Sequence, residues 1–290
     1  MPRIPLPSDL RGSAIRTSTA GDHGITRARL RGADVAHPFH GVSAVGLDLA
    51  DVRSRCLALL PVMEPGQVFS HVTALTLHDA VLPPLSSALH VSVTFPRTPP
   101  RRTGVVGHAL SRTPSMLLDG MPVSTPVEAW AQSARILDRG DLVAVGDHLL
   151  VTSRATIAQL TSLAAAWAPR PGSARLRWAA TRIRPGVRSR PETHLRLLLL
   201  RSRIPEPAVA PPVVVAGGLT VHPDLAFLDR RLALEYEGSD HFTDRRRIEI
   251  DIERRELLAE AGWRTIRVTA PQLYGDPERL VSRVRRHLAA

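Results

Sequence analysis

With 290 residues, 43% of them hydrophobic and 22% charged, the chain is long enough for two domains with separate cores and has the make-up of a soluble globular protein. No apolar run approaches the ~20 residues that cross a bilayer, Met1-Pro-Arg-Ile-Pro lacks the apolar block of a secretory signal, and a lone Cys56 excludes an internal disulfide and a cysteine-based zinc site; a cytoplasmic protein without membrane segments is expected. The formal net charge of +11 comes from 38 basic side chains, all arginine, and favours a polyanionic partner such as DNA, although the absence of both Lys and Asn points to a coding bias that inflates arginine.

Residues 1–22 are polar with scattered proline and predict a disordered arm. Residues 23–170 predict a mixed α+β domain. Within it, residues 88–95 alternate apolar and polar side chains as a half-buried strand does. Thr125-Pro-Val-Glu128 has the N-cap, first-turn proline and N3 carboxylate of a helix start, and that helix should run to about Ile136. Further helices are expected at 141–151 and 153–167. Ala168-Pro-Arg-Pro-Gly172 and Arg184-Pro-Gly-Val-Arg188 then break the chain on either side of a short basic helix, so 171–188 reads as a linker at the domain boundary.

The remainder, 189–290, has a clearer order. Ser189-Arg-Pro-Glu192 is a capping box that opens a leucine-rich helix, ended by Pro205, Pro207, Pro211 and Pro212. Three strands are expected at 213–215, 220–227 and 232–237, with turns at Gly217-Gly218 and Asp229-Arg-Arg231. Asp244 should cap a long helix that Gly262 stops. A fourth strand follows at 263–269, and Asp276-Pro277 opens a last helix with Leu280, Val284 and Leu288 on one face. The fold class is therefore α/β: a C-terminal core of helix, three strands, helix, strand and helix behind an N-terminal α+β domain.

In Leu232-Ala-Leu-Glu-Tyr-Glu237, side chains two apart share a face, so Glu235 and Glu237 project together from an otherwise apolar strand. Asp224 lies across a short hairpin from Glu235. Carboxylates converging on one sheet face repel one another, and burying them unpaired is costly. A divalent ion such as Mg²⁺ or Mn²⁺ resolves that conflict and suits phosphodiester hydrolysis. Glu192 either caps its own helix or positions a metal-bound water, and Glu237, beside Gly238, is either a ligand or a solvated strand end.

Pro191-Glu192, His222-Pro-Asp-Leu-Ala-Phe227, Leu234-Glu-Tyr-Glu-Gly238, His241, Asp251-Ile-Glu-Arg254 and Gly262-Trp-Arg-Thr-Ile-Arg267 resemble the very-short-patch-repair-endonuclease-like domain of the PD-(D/E)XK nuclease superfamily. The resemblance covers about the last hundred residues. It implies a restriction-endonuclease-like core in which Asp224, Glu235 and Glu237 are metal ligands and Glu192 and His241 join them in catalysis. Glu237 stands where the superfamily has lysine, so a second metal, an arginine or His241 has to assist. Arg247, Asp251 and Arg255 form a charge ladder on one helix face, and Arg254 matches the family's arginine. These four either form a solvated face or brace the acids and hold DNA phosphate. The zinc-binding cysteines of true mismatch-repair members are absent, which argues against T:G-mismatch repair.

Ser70-His-Val-Thr-Ala-Leu-Thr-Leu-His78, Leu89-His-Val-Ser-Val-Thr94 and Asp119-Gly-Met-Pro-Val-Ser-Thr-Pro126 resemble the AbiEi-type antitoxins of type IV toxin–antitoxin systems. That resemblance implies a protein partner or DNA contact through the N-terminal domain. His71 and His78 read as surface or core polar contacts. The expected function is a Mg²⁺- or Mn²⁺-dependent DNA endonuclease in repair or defence; the alternative is a non-catalytic DNA-binding regulator of antitoxin type.

Overall fold

A computed structural model describes residues 6–7, 10–238 and 245–289, residues 245–251 by their helical backbone alone. It divides into two compact units, one holding residues up to 136 with 166–172, the other 137–165 with 173 onward. Both mix helices with sheets that contain parallel and antiparallel pairs, so the chain is α/β. Among the described residues no helix is long and apolar enough to cross a membrane.

The first unit opens with β1 (Ser13–Arg16) and α1 (Arg27–Leu30), and β2 (Val42–Val45) returns antiparallel to β1. Leu10, Ile15, Ala20, Ile25, Leu30 and Val35 bury together in one small core. The stretch expected as a disordered arm is therefore structured from Leu10 onward. Its apolar residues recur five apart, a spacing that matches neither helix nor strand period and leaves no local signal.

α2 (Val52–Leu59) leads into β3 (Val68–Phe69), α3 (His71–Leu77), β4 (Leu89–Thr94), β5 (Val105–Leu110), β6 (Ser115–Leu118), β7 (Met121–Ser124) and α4 (Pro126–Gln132). The sheet order is β5-β4-β3-β7-β6, with β3 parallel to β7, β4 parallel to β5, and the other pairs antiparallel. β4 is not half-buried as expected. Leu89 through Val93 are all enclosed, because strands flank it on both sides and α3 packs against it. At Gly107 in β5 only glycine fits, since an added Cβ would stand 2.3 Å from the Pro100 carbonyl oxygen. α4 starts where expected, but Thr125 makes no side-chain cap bond, and Glu128 instead accepts from Arg112 at 2.7 Å.

The second unit is built on α5 (Arg139–Val151), α6 (Ile157–Ala166), α7 (Ser173–Ala180) and α8 (Arg190–Arg201). Thr156 and Gln159 cap α6 reciprocally, with backbone N–H to side-chain distances of 2.9 and 3.2 Å, which starts it later than expected. The boundary placed within 171–188 is also corrected, because α5 packs with α7 and α8 and so joins the C-terminal half. Asp147 of α5 is the reason. It is buried, accepts from Thr193 Oγ1 at 2.8 Å and from the Arg184 N–H at 2.7 Å, and meets the fully buried Arg196 at 3.3 Å.

β8 (Ala208–Val209), β9 (Val213–Val214), β10 (Thr220–Val221), β11 (Leu225–Phe227), β12 (Leu232–Glu237), α9 (Arg245–Glu260), β13 (Arg264–Thr269) and α10 (Pro277–Ala289) complete the unit. The main sheet runs β13-β12-β11-β8, parallel between β12 and β13 and antiparallel elsewhere. Two expectations change here. Residues 220–227 are not one strand, because Pro223 has no N–H for a ladder and breaks it. Residues 213–215 do not join the main sheet; β9 pairs with β10 as a separate ribbon whose Val213 and Val221 pack on Leu258 of α9, and β8 takes the sheet edge. The core gathers Leu195 and Leu199 of α8, Leu225, Leu232, Leu234, Ile266 and Val268 of the sheet, and Leu280 and Val284 of α10. Gly262 ends α9 as expected, at φ 78°, with its N–H on Ala259 O and the Trp263 N–H on Leu258 O, both at 2.9 Å.

Replacing Arg196 by methionine strands the buried Asp147 carboxylate and should destabilise the chain by about 3–5 kcal/mol. A urea-denaturation midpoint equal to that of the unmodified chain would contradict this account of what joins α5 to α8.

Candidate functional site

The hairpin register explains how the acids meet. Leu225 pairs with Leu234, so Asp224, the residue just before β11, falls opposite Glu235. The apolar partners of that hairpin point into the core with α8 and α10, and the next residue along each strand therefore points to the other side. On that side Glu235 meets α9, where Arg254 stands 3.3 Å from its Oε1 and also donates to the His222 carbonyl. Asp224 has left the ladder after Pro223, and its Oδ2 accepts the Tyr236 N–H at 2.9 Å.

Glu192 reaches the same end of the sheet from the first turn of α8. Ser189 caps that helix by accepting the Glu192 N–H at 3.3 Å, and Glu192 Oε2 takes the Arg188 N–H at 2.9 Å. Burial pushes the Glu192 carboxyl above the usual range, and the nearby Asp224 pushes it further; the hydrogen bonds from Arg188 and Ser189 act in the opposite direction without cancelling this. Glu192 thus serves its own helix end, the first of the two roles expected for it, while lying close enough to Asp224 to feel its charge.

The remaining sequence candidates divide. Glu237 is held by Arg267, which donates to both of its oxygens, so its charge is already answered by a guanidinium. Arg254 is ion-paired with Glu235, and Arg255 is half-buried on the same helix. His241 and Asp244 lie outside the described residues, as do the side chains of Arg247 and Asp251. Arg267 was missed as a site residue, although its alternation in β13 places it on the face of Glu235, its register partner. Among the described residues, the group of three donors lying mutually within 4.8 Å is made of histidines, not of these acids.

No family model matches the chain. Two Mycobacterium tuberculosis proteins, "Uncharacterized protein MT2308" of strain CDC 1551 and "Uncharacterized protein Rv2248" of strain H37Rv, are each 28% identical to it over 183 residues. The match takes in 63% of this chain and spans 66% of the length of each relative, and neither name states an activity.

The raised Glu192 pKa has a defined sign. A carboxyl that binds its proton more tightly in the folded state favours folding below its unfolded value, near 4.5, and loses that contribution as pH rises through the higher folded value. Glu192→Gln should therefore melt at a higher temperature than the unmodified chain above pH 7, with the gap closing as pH falls towards 4.5. Thermal melts that show no gap, or one that ignores pH, would refute the upward shift of this carboxyl.

Proposed function

We propose that the second unit is a metal-dependent phosphodiesterase acting on DNA, an endonuclease of the PD-(D/E)XK kind. The observation that carries this reading is the hairpin register that sets Asp224 opposite Glu235, with the carboxyl of Glu192, only 8% exposed, near enough to Asp224 to be influenced by it. A folded chain gains nothing from enclosing like charges unless something positive joins them. Three carboxylates from α8, the residue before β11, and β12 are the hard oxygen donors that Mg²⁺ or Mn²⁺ takes. The element order supports the same reading, with α8 before an antiparallel hairpin and a parallel strand added across α9.

Glu192, Asp224 and Glu235 would hold the ion, which when bound supplies Lewis acidity toward a phosphoryl oxygen. The chain's own groups hold these acids in place. The N–H groups of Arg188 and Tyr236 each fix one carboxylate oxygen, of Glu192 and Asp224 respectively. Arg254 orients Glu235 and brings positive charge to a site that has no lysine. Glu237, bound to Arg267, is left out of the ligand set. Arg279 and Arg286 are exposed on α10, and with the net charge of +11 they favour contact with backbone phosphate.

The full chain, incubated with duplex, single-stranded and branched DNA and either ion, should cleave in a metal-dependent manner. Glu235→Gln should lower the rate by at least roughly 100-fold, the loss reached when even the support of a ligand is removed. Tight DNA binding without metal and without cleavage would instead assign the protein to non-catalytic DNA-binding regulators.

A further inference from the structure

The first unit contains a second group of donors that the acidic site does not use. β4 and β5 are parallel, with His90 opposite Val106 and Ser92 opposite His108, so His90 and His108 stand on one side of the sheet, two positions apart. His90 Nδ1 lies 2.9 Å from His108 Nε2. His71, the first residue of α3, stacks its ring on that of His108 at 3.8 Å between centroids. One ring nitrogen from each histidine lies within 4.8 Å of the other two.

Packing alone does not account for this arrangement. Two ring nitrogens face each other at hydrogen-bond distance, so neutral rings have to share a single proton between them. The cluster opens on a cavity of about 770 Å³ whose lining includes Arg112, Glu128, Gln132, Arg135, Trp167 and Arg170. The carboxylate in that lining, Glu128, is already bound to Arg112. Gln132 is 5% exposed and accepts the His71 N–H at 3.0 Å, yet its amide nitrogen has no hydrogen-bond partner. A buried amide left unsatisfied beside a cavity points to something that fills the cavity. Burial, with the neighbouring imidazoles, drives His71 down to about 2; burial, with His90 and Arg135, drives His108 down to about 4. The neutral form of imidazole, which such surroundings favour, is the one that offers a lone pair.

We infer that His71, His90 and His108 form a three-histidine site for a late first-row divalent ion, Zn²⁺ foremost, with a fourth position open to the cavity. Imidazole is a favoured donor for such ions, and three histidines with one open position is the pattern of a reactive zinc rather than a purely structural one. The outer support is present as well. Ser70 Oγ lies 2.9 Å from His71 Nδ1 and accepts from Ser92 Oγ at 2.6 Å, which leaves Nε2 as the nitrogen for an ion. With Zn–N bonds of ~2.0–2.1 Å, tetrahedral angles set nitrogen pairs about 3.4 Å apart, so His90 and His108 part slightly as the ion enters. The hydrogen that lay between them moves to the far nitrogen of its own ring, so both imidazoles remain neutral as each turns a lone pair to the ion. Arg135 and Arg170, which line the cavity beside the Arg112–Glu128 pair, suit an anionic group, carboxylate or phosphate, as occupant of the open position.

The test is a titration of the metal-free full chain with Zn²⁺ against a chromophoric chelator, together with the visible spectrum of the Co²⁺ form. One Zn²⁺ per chain and the intense absorption of low-coordinate Co²⁺ are expected. His90→Ala and His108→Ala should each weaken binding by more than about 100-fold, exceeding the loss caused by removing a mere support. His40→Ala, an exposed histidine outside the cluster, and Glu235→Gln should leave Zn²⁺ affinity unchanged, which separates this site from the acidic one. Circular dichroism checks each variant's fold. Where a variant does not fold, the imidazole NMR signals of the unmodified chain decide, since Zn²⁺ must shift those of all three residues. Absence of stoichiometric uptake by the unmodified chain, a weak octahedral Co²⁺ spectrum, or uptake indifferent to both folded variants would each overturn the assignment.

Discussion

Arg196 places a guanidinium charge inside a unit where it has no exposed surface. Asp147 meets it at 3.3 Å, Glu206 at 2.8 Å and the Arg182 carbonyl at 2.7 Å. Asp147 remains hard to ionise even so, its carboxyl pushed up to about 6, because desolvation outweighs the attraction of Arg196 and the bonds from Arg184 and Thr193. One acid on α5 thus ties down α8 and the segment leading into it. Glu192 lies one turn before Arg196 on that helix, so the position of the carboxylate nearest Asp224 rests on a charge cluster elsewhere in the same unit.

The acidic site itself shows how a sheet can hold charge without dispersing it. Its acids come from a helix start, a broken strand and an intact strand, and each is oriented by a group that does not titrate near neutral pH. Main-chain N–H groups take Glu192 and Asp224; guanidinium groups take Glu235 and Glu237. An arginine-only complement of basic side chains suits this role, because a planar fork can hold a carboxylate at a set angle where an ammonium would only sit near it.

Local pattern made part of this legible. α8 is announced by Ser189, Pro191 and Glu192 ahead of its leucines, β12 by an apolar run carrying two glutamates two apart, β13 by Ile266 and Val268 alternating with polar residues, and α10 by Leu280, Val284 and Leu288 at helical spacing. What escaped depends on distant residues. Asp147 and Arg196 share no local motif, so 171–188 read as a linker, although the break at 184–188 is a turn inside the second unit. The alternating polar residues of β4 suggested a face in water, whereas His90 and Ser92 face an enclosed cluster of histidines and serines. Alternation reports two unlike faces; it does not say which of them is wet.

Pro223 ends one short strand and releases Asp224 from the ladder, yet that residue is not loose. The Ala210 N–H donates to the Asp224 carbonyl oxygen at 3.0 Å, and His222 Nδ1 lies 3.1 Å from the Ala210 carbonyl oxygen. The segment 211–221, with its small ribbon, is therefore a closed excursion cinched at its base. Lengthening a loop whose ends are already joined costs little, because closure has been secured independently of what lies between. The excursion can thus be rebuilt, enlarged or exchanged for one of another shape while the carboxylate at its foot keeps its place.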